Sequence, residues 1–204
     1  MSIPYEQTGR THQKARTRNA LIAAARQLLS EGVTPTVERA ADRAATSRTT
    51  AFRYFRNQRA LLVATYPQMG EQSLLRSADT EDPLARLEIV AAEVARLILE
   101  FEPELRAQLR LSLEPGPGES DELPLRQGRV IGWFEEALMP LRGSIRAEEL
   151  HRLVLAIRAT LGIEAMVWLT DVAGVSRDEA VDIMRSSART LVRSAMADAA
   201  TSHS

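Results

Sequence analysis

Apolar residues recur every three or four positions along nearly the whole chain, and no segment alternates with a period of two. The pattern therefore predicts helices and no strand. A first helix is expected over about 17–30, with Leu21, Ala24, Ala25 and Leu28 on one face. Gly32 follows it, where a left-handed residue commonly closes a helix. Thr36 is suited to cap the next helix, with Glu38 in its first turn and Val37, Ala40, Ala41 and Ala44 as a short apolar stripe. Ser47 can cap a third helix that starts at Arg48. Further helices are expected near 57–77, 84–101, 104–113, 124–139, 146–172 and 176–198, about nine in all. Asp82-Pro83 and Glu102-Pro103 mark breaks, because proline disfavours helix in the residue before it, and Pro67 is a candidate kink. The stretch EPGPGESDELP, 114–124, reads as a loop. The expected fold class is all-α.

Composition adds that a core can form: 45% of the 204 residues are hydrophobic and 26% charged, which excludes a wholly disordered chain. The net charge of −1 hides a division. Residues 1–60 hold 11 Lys+Arg against 4 Asp+Glu, while the remainder holds 15 against 23. A basic first third on an acidic body points to a polyanion at one end. Cysteine is absent, so disulfides and thiolate chemistry are excluded. The opening residues lack the apolar run of a secretory signal, and no uncharged stretch is read as long enough to span a membrane; a cytoplasmic location is expected.

Charge gives the stretch RTTAFRYF, 48–55, its interest. Only 4% of the chain is aromatic, yet Phe52, Tyr54 and Phe55 fall within these eight positions beside Arg48, Thr49, Thr50 and Arg53. On a helical wheel Ala51, Phe52 and Phe55 form an apolar arc expected to seat the helix, and Thr49, Thr50 and Arg53 a polar arc expected to face outward. Arginine can donate two parallel hydrogen bonds to guanine, and threonine offers a hydroxyl and a methyl to base edges. Two short helices joined by a brief turn form a helix-turn-helix, whose second member fits the major groove. Arg10, Lys14, Arg16 and Arg18 add a basic arm.

The stretch TVERAADRAATSRTTAFRYFRNQRALL, 36–62, resembles the DNA-binding motif of the TetR family of bacterial transcriptional repressors. Thr36, Ala41, Ala44, Ser47, Thr50, Phe52, Tyr54, Phe55, Asn57 and Leu61 carry the match. Ala45 stands at the usual glycine of the turn, Thr46 at a valine, Ala40 at an isoleucine, Phe52 at a tyrosine and Gln58 at a lysine. The resemblance implies a reading head over 1–56, with double-stranded DNA contacts from Arg16, Arg18, Thr36, Val37, Ser47, Arg48, Thr49, Thr50, Phe52, Arg53, Tyr54 and Gln58. It also implies an effector-binding and dimerisation body over 57–204. A homodimer would span a near-palindromic operator with half-sites about 34 Å apart.

Within that body the resemblance implies a cavity for a small, lipophilic effector. Its candidate lining is Leu87, Val90, Val94, Leu109, Leu113, Trp133, Phe134, Leu161 and Trp168. Glu164 interrupts the last apolar stripe and is read either as a ligand contact or as a structural charge. The homodimer is expected to use Leu150, Val154 and Ile157 with Met184, Ala188, Leu191, Val192 and Ala195. Such stripes serve equally inside one bundle.

Catalysis is not expected. His12, His151 and His203 lack metal-ligand spacing, no phosphate-binding loop or nucleophile motif is present, and no cofactor or metal is implied. A second reading is a helical interaction module whose DNA-reading end has degenerated, as the missing tyrosine and lysine allow.

Overall fold

The computed structural model describes residues 5–65, 73–75, 79–113 and 129–202. Among them every regular element is helical: α1 (Tyr5–Ser30), α2 (Val37–Arg43), α3 (Arg48–Tyr54), α4 (Gln58–Thr65), α5 (Pro83–Glu100), α6 (Glu102–Leu113), α7 (Arg129–Ala137), α8 (Ala147–Thr160), α9 (Ile163–Val167) and α10 (Arg177–Ser202). A 3-10 turn covers Met139–Gly143 and a π turn Trp168–Val172. The all-α expectation holds. Pro67, the 114–124 loop, and parts of the helices expected over 57–77 and 124–139 lie outside the described residues.

Local chemistry sets the helix ends. α1 closes in a Schellman motif: Gly32, at φ +73°, donates to Leu29 O at 2.9 Å, and Val33 donates to Leu28 O at 2.8 Å. α2 closes the same way, with Ala45 donating to Asp42 O at 3.3 Å and Thr46 to Ala41 O at 2.9 Å. There the left-handed position belongs to an alanine, Ala45, at φ +49°. Asp82 caps α5 through Leu84 N and Ala85 N at 3.2 Å each, and Pro83 takes the first helical position, where a missing N–H costs nothing.

Two compact units form. The first comprises residues 1–68 and 103–125, the second 69–102 and 126–204. In the first, Leu21, Ala24 and Ala25 of α1 pack with Val37, Ala40, Ala41, Ala51, Phe55, Leu61 and Ala64. Six of these ten are alanines, so the helices approach closely and little apolar area is buried for each residue. α6 belongs to this unit: Ala107 packs with Leu29 and Leu62, and Gln108 Nε2 donates to Leu62 O at 3.2 Å. Arg26 Nε donates to Thr65 O at 2.8 Å, so α1 and α6 both satisfy carbonyls in the last turn of α4.

In the second unit α5, α7, α8, α9 and α10 surround Val90, Phe134, Val154, Ile157, Leu161, Met166 and Met184. Arg86 donates to Glu136 O at 2.9 Å and Ala137 O at 3.1 Å, satisfying the end of α7. Glu88 of α5 receives Arg185 at 2.9 Å and Arg189 at 2.5 Å from α10. Burial pushes the Glu88 carboxyl up, but these two guanidinium groups outweigh it and hold the group below the usual carboxylate range.

Two expectations change. The helix expected over 146–172 is interrupted at Leu161 and Gly162, where Gly162 sits at φ −159°. A Cβ built on Gly162 would run into the Arg158 guanidinium and lie 2.7 Å from Glu164 Oε2, so the missing side chain leaves room for that ion pair. The same stretch, Ala147–Val172, does reach membrane-spanning length and apolarity, with a mean hydropathy of 1.6 over its best window. Its apolar side, including Leu150, Val154, Ile157 and Met166, is buried within the second unit.

Candidate nucleic-acid interface

α2 and α3 are held from both ends. Thr36 Oγ1 accepts from Arg39 N at 3.2 Å, and Ser47 Oγ accepts from Thr50 N at 3.2 Å while donating to Thr50 Oγ1 at 2.8 Å. Ser47 is thereby engaged on both sides, and Thr50 keeps its hydroxyl hydrogen to offer. Asn57 Oδ1 accepts from Ala60 N at 2.8 Å and starts α4. Thr49 and Arg53 are exposed and Thr50 and Tyr54 half-buried. Among the described residues Arg53 makes no ion pair.

The seating face differs from the expected one at Phe52. Phe55 is 3% exposed and Ala51 fully buried, but Phe52 is 41% exposed and lies outside the core cluster. Phe52 stands about 100° round the helix from Ala51, whereas Tyr54 stands about 60° away on the other side. Tyr54 packs on the core instead. Phe55 lies just beyond the helix, at φ −132° and ψ 106°, and this extended step returns its ring to the interior. Arg18 of α1 sits over that ring at 5.6 Å from its centroid.

Other candidates divide by what they touch. Val37 is buried, so its side chain is core and not a DNA contact. Gln58 Nε2 donates to Pro35 O at 2.8 Å, tying the start of α4 to the segment before α2. Arg48 Nη2 meets Asp42 Oδ2 at 3.3 Å, and Arg43 forms two contacts with Glu31, at 2.6 and 2.8 Å. The basic arm is itself helix, because α1 begins at Tyr5. Arg16 and Arg18 are both exposed but stand about 160° apart on it, while Lys14 shares the Arg18 side. Asp42, the partner of Arg48, is a residue that the sequence reading does not name. The six-residue reach from Asp42 to Arg48 leaves no periodic signal.

The effector-lining set is divided between the two units. Leu87, Val90, Val94, Trp133, Phe134 and Leu161 are buried in the second unit, whereas Leu109 and Leu113 belong to the first. Leu113 is 73% and Trp168 58% exposed, so neither lines an enclosed space in the protomer. Glu164 Oε2 lies 3.5 Å from Arg158 Nη1, an internal partner that accounts for its charge. A pocket of about 340 Å³ opens elsewhere, between Leu141, Gly143 and Ser144 and Met196, Ala199 and Ala200 of α10.

The dimerisation set also needs correction. Leu150, Val154, Ile157, Met184, Ala188 and Val192 are buried within the protomer's own bundle, and Leu191 and Ala195 are half-buried. The large hydrophobic residues that the stretch from α8 to α10 leaves exposed are Leu155, Trp168, Val172 and Ile183. Set against family models and curated proteins, the chain matches none.

Proposed function

We propose that the protein is a ligand-responsive, DNA-binding regulator of transcription, a repressor that resembles the TetR family and acts as a homodimer in the cytoplasm. Residues 1–56 would read DNA through a helix-turn-helix, and residues 57–204 would dimerise and receive the effector. One observation carries the reading. α3 is fastened inward by Ala51, Tyr54 and Phe55 and holds Thr49 and Arg53 out to solvent, within a segment where basic residues outnumber acidic ones by 11 to 4. Such a helix presents groups that recognise base edges on a support that keeps them in register.

Two-fold symmetry follows from the operator, because one short helix covers only a few base pairs. The dimer surface is assigned to the exposed face of α10. There Ile183, Ser187, Thr190, Ser194, Ala197 and Thr201 recur at alternating spacings of four and three, without a charge. Small residues at this spacing allow close helix approach, and exposed Leu155, Trp168 and Val172 add apolar area. An effector bound by the body would favour the dimer state with weaker DNA affinity, and its coupling would equal the difference in its own affinity for the two states.

The second reading, an interaction module with a disused end, draws on Gln58 being tied to Pro35 and Arg48 to Asp42. Selection of duplexes from a randomised pool by the purified protein, followed by footprinting, separates the two. The regulator reading expects two protected segments about one helical turn apart. Recovery of no enriched sequence by a folded dimer contradicts it.

A further inference from the structure

Arg48 and Arg43 flank the same turn and are held very differently. Arg43 meets Glu31 through two contacts at 2.6 and 2.8 Å. Arg48 meets Asp42 through one nitrogen at 3.3 Å, and both side chains are more than half exposed. The first geometry is the paired, short contact of a locked guanidinium. The second is an open pair through a single contact, held in solvent. Glu38 stands one turn before Asp42 on α2. Its carboxylate is held low chiefly by its own backbone N–H and by Thr36, and the nearby Arg48 charge contributes. Asp42 thus meets the first residue of the reading helix, with Glu38 one turn before it on α2.

We propose that Asp42 acts as an internal stand-in for a DNA phosphate: it occupies Arg48 and lowers affinity for every duplex alike, leaving base preference to Thr49 and Arg53. The inference rests on the DNA-reading proposal above and adds to it the residue that sets binding strength. A carboxylate that buttressed Arg48 for guanine recognition would grip it through two short contacts, as Glu31 grips Arg43, and it does not. With Arg48 paired internally, its charge neutralises no phosphate and releases no counterion.

The test uses the full chain, a mixed-sequence duplex and a duplex enriched by the protein itself. Asp42→Asn is measured with Asp42→Ala beside it, since an asparagine oxygen can still accept from Arg48. Both variants should bind both duplexes about two- to fivefold more tightly at physiological salt, with the slope of log K against log salt steeper by about 0.9. The ratio of the two affinities should stay unchanged. In an Arg48→Gln background the gain should vanish. Unchanged or weaker binding by the Asp42 variants, or a change confined to the enriched duplex, overturns this inference while the wild-type protein still binds. Failure of every form to bind either duplex overturns the DNA-reading proposal together with it.

Discussion

Ala45 closes α2 at φ +49°, in the position that Gly32 occupies at the end of α1. An L-residue with a Cβ is strained there by about 1–2 kcal/mol, whereas glycine is not. Ala45 is exposed, so its methyl contributes no packing that a substitution would remove. Ala45→Gly therefore relieves the strain and loses about 0.4–1 kcal/mol through the greater freedom of glycine in the unfolded chain. The net expectation is a gain of about 0.5–1 kcal/mol. Both tryptophans, Trp133 and Trp168, lie in the second unit, so their fluorescence is a poor reporter of the first. Hydrogen exchange at the Ala44 and Phe55 amides, which donate to Ala40 O and Ala51 O, reports on α2 and α3 directly. Their exchange should slow about two- to fivefold. Ala45→Val, a β-branched residue in the same conformation, should speed it. Faster exchange in Ala45→Gly would refute the reasoning, since it would mean that the turn gains from the methyl or relaxes out of the left-handed region.

Other perturbations check the packing and the assembly. Phe55→Ala should cost about 3–5 kcal/mol and unfold the first unit, while Phe52→Ala should cost less than about 1 kcal/mol in the same urea titration. Glu104 is buried on α6, and burial raises its carboxyl above the ordinary 4.5 despite its own backbone hydrogen bond and the Arg26 charge. The unfolded chain then releases that proton first, so ionised Glu104 disfavours the fold once pH rises above 4.5. Glu104→Gln should be more stable than wild type near neutral pH, and urea midpoints should show the advantage disappearing below pH 4.5. Ile183→Arg places a charge on the exposed α10 face and should shift sedimentation towards monomer without changing helix content; an unaltered dimer would move the interface elsewhere.

Much of the helical frame was legible because its signals are local. Thr36, Ser47, Gly32 and the Asp82-Pro83 pair act through their own backbone neighbourhood, and each stands where the sequence indicates. The start of α1 was not legible, since residues 5–16 carry no apolar stripe to announce a helix. Periodicity also reports which face of a helix is buried but not what covers it. Their stripes put Val154 and Met184 on an apolar face, and that face is buried in their own bundle. Phe55 is buried as the wheel expects, but Tyr54 rather than Phe52 completes the seating face, because the buried side of α3 turns from Ala51 towards Tyr54. Ion pairs such as Arg158–Glu164 and Arg48–Asp42 cross a break or a turn, where no fixed spacing marks them.

The central claim is that Arg53 and its threonine neighbours read bases, and single-base variants of an enriched duplex test it most directly. Affinities of the wild type and of Arg53→Ala should be measured at one fixed salt concentration across the whole variant set. The account predicts that the substitution costs about 1–3 kcal/mol and abolishes discrimination at one base pair of each half-site, with the other positions still distinguished. An equal loss at every position, or no loss, would contradict it.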